Sequence, residues 1–235
     1  MKVLGCTGGI GSGKSFVSAI FGKMGIPVYD SDSRAKTLYD TDEQLRSEMV
    51  ALLGEEIIVD GVIQRPVIAS KIFRNAELLQ EVEKLVHPAV MRDFRRWVEE
   101  IEKRGMIEEK NVIKVGMKRE VINEKEVINE KEVIGQNENG VSVPPLVILE
   151  SAILLEKPIV LEQVDKSLVV TAPLDLRIER VIQRDNTTRE RVLERMGAQW
   201  SDERRIALAD FIIFADGKQA LLPQIEGVYK AMCAL

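Results

Sequence analysis

The run Gly8-Gly9-Ile10-Gly11-Ser12-Gly13-Lys14-Ser15 matches G-x-x-x-x-G-K-[ST] at every fixed position. Each residue type suits the capture of a nucleoside triphosphate. Glycines let successive backbone N–H groups turn inward around phosphate oxygens, and a helix beginning near Lys14 adds its positive end. The Lys14 ammonium reaches β- and γ-phosphates, and the Ser15 hydroxyl can ligate Mg²⁺. The loop implies a nucleotide site without separating kinases from switches or motors. Asp30 and Asp32 follow. Either could accept a proton from an attacking hydroxyl or hold a magnesium-bound water. Alternatively Asp32 or Ser33 caps the next helix. A third group is Arg177, Arg180, Arg184, Arg189, Arg191 and Arg195. Guanidinium forks stabilise the charge that builds on a transferring phosphoryl group, and an arginine-rich helix–loop–helix suits a closing lid. Arg184 is expected to face the site, because Arg184 to Thr188 reads as a helix end entering a loop. Arg191 and Arg195 read as surface, with Glu190 and Glu194 nearby for pairing.

These residues need particular elements to hold them. Lys2 to Cys6 is a short apolar run ahead of the glycines, and a helical pattern follows through Met24. Ile26 to Tyr29 is a second strand that delivers Asp30 and Asp32 to its carboxyl end, where open α/β sheets line their ligand crevice. Helical patterns cover Glu43 to Leu53, Pro66 to Phe73 and Asn75 to Ile101, the last with an expected break or kink at His87-Pro88. Strands return at Leu146 to Leu149, Ser167 to Thr171 and Phe211 to Phe214, with helices over Leu174 to Met196, Ser201 to Ala209 and Pro223 to Ala234. Short apolar strands alternating with helices predict a parallel sheet covered on both faces. Between the halves stands a hexapeptide repeat, Glu120 to Lys125 and Glu126 to Lys131, with a broken copy from Glu132. A period of six walks around a helix but keeps its faces on a strand, so a solvated hairpin or flap is expected, with a partner-binding arm as the alternative.

Composition narrows the function classes. The 235 residues are 45% hydrophobic, enough to bury a core. Lys+Arg 33 against Asp+Glu 38 leaves a net charge of -5, which argues against a general nucleic-acid binder. No apolar run nears the roughly 20 residues of a membrane span, and the N-terminal run is cut by glycines too early for a secretory signal. Cys6 and Cys233 form no metal-ligand spacing, and the single histidine, His87, excludes multi-histidine zinc sites. A cytoplasmic protein is expected. The sequence assigns no oligomeric state.

Taken together, T-G-G-I-G-S-G-K-S at 7–15, D-S-D at 30–32, I-Q-R at 63–65, V-H-P at 86–88 and Q-R-D-N-x-T-R-E at 183–190 resemble the dephospho-coenzyme A kinase family. The resemblance covers roughly 1–106 and 142–230. It implies a P-loop nucleoside-triphosphate-hydrolase-like α/β fold with a five-stranded parallel sheet. It also implies ATP-dependent phosphorylation of the ribose 3′-hydroxyl of dephospho-CoA, the last step of coenzyme A synthesis, with Mg²⁺ arriving with ATP. Carried onto this chain, Asp32 is the expected base, Lys14 and Arg184 act on the phosphates, and Gly11, Ser12, Gly13, Lys14, Ser15 and Phe16 bind ATP. Ser15 is the expected metal ligand. Asp30, Arg65 and His87 are the expected contacts to the acceptor.

The implied layout is one kinase domain over 1–235. Its core is 1–32, 143–182 and 201–235, with an acceptor-binding helical subdomain at 33–106, a charged insertion at 107–142 and a lid at 183–200. Two departures stand out. Where the family carries an apolar-Pro-Leu-Leu-x-Glu strand end, this chain has Leu149-Glu150-Ser151-Ala152-Ile153-Leu154-Leu155-Glu156, which makes Glu150 a candidate to hold a magnesium-bound water. The family's late Asn-Gly appears as Asp216-Gly217. Two alternatives stand beside this reading: a kinase for another nucleotide-like acceptor, and a P-loop switch acting through a partner. The second lacks an Asn-Lys-x-Asp guanine motif, and no apolar run ends in the Asp-Glu of a motor.

Overall fold

The computed structural model describes residues 1–73, 75–116 and 145–235, with the backbone alone over 105–116. Its centre is a five-stranded parallel sheet in the order β2-β5-β1-β6-β7. The strands are β1 Lys2–Thr7, β2 Val28–Asp30, β5 Leu146–Glu150, β6 Lys166–Thr171 and β7 Phe211–Phe214. β1 and β5 are apolar on both faces because both faces are covered. Leu4, Cys6, Leu146 and Ile148 pack under α1 (Lys14–Lys23) and α10 (Leu221–Cys233), with Phe21 and Ile225. Val3, Val147 and Leu149 face the opposite layer, which includes Phe94.

That layer carries the helical region. It holds α2 (Ser31–Thr41), α3 (Glu43–Leu53), α4 (Arg65–Ile72) and the long α5 (Ala76–Gly116). A two-stranded hairpin, β3 Ile58–Val59 and β4 Val62–Ile63, turns at Asp60-Gly61, both with positive φ. The Asp-Gly pair is a hairpin signal that the helical reading of this region passed over.

Of the break or kink expected at His87-Pro88, the break does not occur, since α5 runs through Pro88. A proline inside a helix costs about 3 kcal/mol through its lost hydrogen bond and its clash. The apolar stripe Val82, Val86, Ala89, Val90 and Phe94 keeps its helical spacing across the proline and is buried throughout. Each large side chain in such a stripe is worth ~1.5–3 kcal/mol when buried, so the packing outweighs the proline. The helix also continues to Gly116, past the boundary expected at residue 107. The hexapeptide repeat lies outside the described residues.

The helical stretch from Leu174 to Met196 divides where Arg184 to Thr188 reads as a helix end entering a loop. α7 (Leu174–Asp185) ends on Asn186 in the left-handed conformation, and α8 (Arg189–Gly197) follows. Two short helices complete the chain, α6 (Pro158–Leu161), which the sequence reading missed, and α9 (Asp202–Leu208), capped by Ser201.

Candidate active site

β1 feeds the glycine-rich loop directly into α1. The loop depends on two backbone positions. Gly11 has φ +77 and Gly13 has φ +97, and a Cβ at Gly11 would lie 2.4 Å from the Arg177 carbonyl oxygen. Only glycine tolerates both demands at Gly11. No side chain caps α1 at Gly13, and its first turn holds no acidic residue. The first N–H groups of α1 are therefore left for an anion.

A cleft of about 380 Å³ opens over this loop. Gly11, Ser12, Gly13, Lys14, Ser15 and Phe16 line it together with Asp32, Ala152, Arg180, Arg184, Arg195 and Gln199. Asp32, Lys14 and Arg184, which lie far apart in sequence, thus share one cleft. Asp30, Arg65 and His87 do not line it. Arg65 is exposed at the start of α4, near Tyr39. His87 opens onto a separate cavity of about 350 Å³ beside Glu83 and Lys157, and burial pushes its pKa down.

The two strand-end aspartates divide their work. Asp30 is the cap of α2, and its carboxylate accepts from the backbone N–H groups of Asp32 at 3.0 Å and Ser33 at 3.3 Å. Its second oxygen accepts from the Ser33 hydroxyl at 2.5 Å. The cap expected from Asp32 or Ser33 is therefore Asp30. Asp32 is solvent-accessible, yet the surrounding protein desolvates its carboxyl and pushes its pKa up. Lys14 opposes that shift, while the charges of Asp30 and Glu150 add to it.

Tyr29 fixes the strand that carries this pair. Its hydroxyl donates to Asp93 at 2.7 Å, and Arg34 donates to the same carboxylate through Nε and an Nη, both at 2.8 Å. Tyr29 also meets Phe94 edge-on at 5.1 Å. β2, α2 and α5 are thus tied together at one point.

Glu150, at the end of β5, is buried and accepts hydrogen bonds through Oε1 from Lys14 and from Ser15 Oγ, the latter at 2.7 Å. Ala152, where the family has proline, lines the cleft.

The arginines divide by depth. Arg180 donates to the carbonyl oxygens of Gly11, Ser12 and Ala215. Arg177 is buried, donates to the Ile10 carbonyl at 3.0 Å and pairs with Asp202 at 2.7 Å. Both brace the loop. Arg184 and Arg195 are held together by Asp185, with contacts of 2.6 Å to each, and these two cations hold the Asp185 carboxyl well below the usual carboxylate range. Arg195, expected as surface, is exposed and also lines the cleft. Arg191 is exposed and outside its lining. Gln199, which accepts from the Ile10 N–H at 2.9 Å, carried no sequence signal. Four cations line this cleft, so the arrangement can bind phosphates and place one carboxylate beside them.

The family model described as dephospho-CoA kinase matches residues 2–115 and 126–220. A dephospho-CoA kinase of Bacteroides fragilis is 34% identical over 222 residues, 94% of this chain and 88% of that protein. One from Bacillus cereus is 30% identical over 216 residues, 92% and 88% of the two chains. The crystal structure of a Thermus thermophilus protein superposes with a TM-score of 0.65 at 29% identity, covering 99% of this chain and 96% of that one. A dephospho-CoA kinase from Campylobacter jejuni has the same fold, with a TM-score of 0.59 at 19% identity over 100% and 98% of the chains.

Proposed function

The chain belongs to the dephospho-CoA kinase family, and from that premise we propose how its own side chains perform ATP-dependent phosphorylation of dephospho-CoA. It is a phosphotransferase with ATP as co-substrate. The acceptor is the ribose 3′-hydroxyl. Its oxygen bonds to the γ-phosphorus as the bond to the β,γ-bridging oxygen breaks, and ADP leaves. Asp32 takes the hydroxyl proton. The observation that carries this role is the division of the pair: Asp30 is committed to capping α2, while Asp32 stands in the phosphate cleft with a raised pKa. A base of higher pKa takes the proton more completely.

Lys14, Arg184 and Arg195 meet the charge on the transferring group, and the open end of α1 receives phosphate oxygens. The run Gly11 to Phe16 forms the ATP site. Mg²⁺ fits the donors present, because Ser15 Oγ and the Glu150 carboxylate are hard oxygens 2.7 Å apart. Among the described residues no group of three or more His, Cys, Asp or Glu side chains could hold a metal ion. Ser15 would hold the cation, Glu150 would accept from one of its waters, and phosphate oxygens would complete the set. When bound, the ion supplies Lewis-acid charge to the phosphates.

Residues 33–106 receive the acceptor, and 183–200 form the lid. Asp30 orients Asp32 through its backbone. Arg65 and His87 stand away from the phosphate cleft, so their contacts are to the far arm of the acceptor. Among the described residues no helix is long and apolar enough to cross a membrane. Cys6 and Cys233 are free thiols, which suits a cytoplasmic enzyme.

The deciding experiment supplies purified protein with ATP, Mg²⁺ and dephospho-CoA. ADP and CoA should appear in equal amounts, with the new phosphate on the 3′-oxygen by ³¹P NMR. ADP released only with a nucleoside monophosphate would overturn the assignment.

A further inference from the structure

Glu150 is the last residue of β5, between β2 and β1 in the sheet. Its side chain is only 6% exposed. One of its oxygens, Oε1, accepts from the Lys14 ammonium and from the Ser15 hydroxyl at once. These are the two side chains through which a phosphate loop of this pattern engages phosphate and cation. Both are therefore engaged by a single internal carboxylate.

We propose that Glu150 is a lock that makes nucleotide binding depend on a divalent cation. This rests on reading residues 8–15 as the ATP phosphate site. A bare triphosphate entering the cleft must draw Lys14 away from Glu150. That would leave a buried carboxylate without its cation, and the added phosphate charge would face it. Removing one partner of a buried ion pair is strongly unfavourable for this reason. A divalent cation entering on Ser15 changes the balance. It gives Glu150 a new positive neighbour through its hydration shell and frees Lys14 for the phosphates. Lys14 is thus exchanged between two anions, and the cation pays for the exchange.

The lock separates two properties that a simple phosphate loop combines. Affinity for the metal complex depends on the loop. Discrimination against metal-free nucleotide depends on Glu150. A glutamine at 150 keeps the side-chain shape and can still accept from Ser15, but it carries no charge to hold Lys14 or to repel phosphate.

The test is equilibrium binding of ATP and of inorganic tripolyphosphate, by titration calorimetry, in Mg²⁺ and in EDTA. Wild-type protein should bind each polyphosphate at least about tenfold tighter with Mg²⁺, the size expected from one charge-assisted contact. In Glu150→Gln the metal-free affinity should rise and that ratio should shrink to near unity. A ratio that stays as large as in wild type overturns the lock, and so does a parallel loss of both affinities. The wild-type measurement keeps the lock open to refutation even if the variant does not fold. Equal binding with and without Mg²⁺ overturns the lock while leaving the nucleotide site intact. No ATP binding under either condition overturns the nucleotide site itself.

Discussion

Asp30 caps the helix on which Asp32 rides, and one of the N–H groups it accepts, at 3.0 Å, belongs to Asp32 itself. The two carboxylates therefore do unlike work. Asp32→Asn should lower kcat by about 10²–10⁴-fold, as loss of a positioned base does. Asp30→Ala should instead cost ~1 kcal/mol of stability, as loss of a helix cap does. Steady-state ADP formation and urea denaturation of both variants separate the roles. A near-normal Asp32→Asn enzyme would remove the base assignment.

Lys14→Ala removes the ammonium that donates to Glu150 and that we propose meets the phosphates. Turnover should fall by about 10²–10³-fold, the usual loss for one preorganised electrostatic group. Single-turnover ADP release at saturating ATP reads this directly. An unchanged rate would exclude Lys14 from the chemical step.

The raised pKa of Asp32 fixes the sign of two pH effects. With Asp32 as the proposed base, catalysis needs its carboxylate, so kcat should decline on the acid side at a higher pH than an unperturbed aspartate would give. Stability runs the other way. The folded protein binds this proton more tightly than the unfolded chain, so the group stabilises below its unfolded pKa and that contribution is lost as pH rises through the folded pKa. Asp32→Asn should therefore melt higher than wild type at neutral pH. Thermal melts from pH 3 to about 8, spanning ordinary carboxylate titration, should show the two curves separating as pH rises.

Arg184 and Arg195 share Asp185 and line the cleft, whereas Arg191 does neither. Arg184→Ala and Arg195→Ala should each lower kcat/KM for ATP by about 10-fold or more. Arg191→Ala should leave it unchanged. Equal losses in all three would show that only the net charge of the lid matters.

Asp202 joins Arg177, Arg205 and Thr171, with contacts of 2.7 Å to Arg177 and to Thr171 Oγ1. Arg205 is 1% exposed and also pairs with Glu156 at 2.8 Å. Asp202→Ala leaves two buried guanidinium groups short of a partner and should cost ~3 kcal/mol by urea denaturation. Arg177 also braces Ile10, so ATP affinity should fall with it.

The phosphate loop was fully legible in the sequence, because its requirements are local. Gly11 and Gly13 answer to backbone conformation, and Lys14 and Ser15 follow at fixed spacing on the same helix start. The strands β1, β5, β6 and β7 were legible for a related reason, since burial on both faces demands unbroken apolar runs. The helix end at Arg184 to Thr188 was also visible. What the sequence could not supply was any comparison of distant energies. It read Pro88 as a break or kink and could not exclude the break, because the buried stripe that outweighs the proline exists only once α5 packs on the sheet. Residue type and spacing left Asp30 and Asp32 interchangeable, and only the family resemblance singled out Asp32, because which carboxylate turns back to accept the first N–H groups of α2 shows only in the folded backbone. The sequence read Arg195 as surface, which it is, and missed its place in the cleft, because only the turn at Asn186 folds α8 back so that Asp185 can hold Arg184 and Arg195 together. Gln199 and the Glu150 contacts join residues more than a hundred positions apart. Residue type and spacing thus determined what chemistry the chain carries, and the tertiary packing decided which of several similar side chains stands where that chemistry happens.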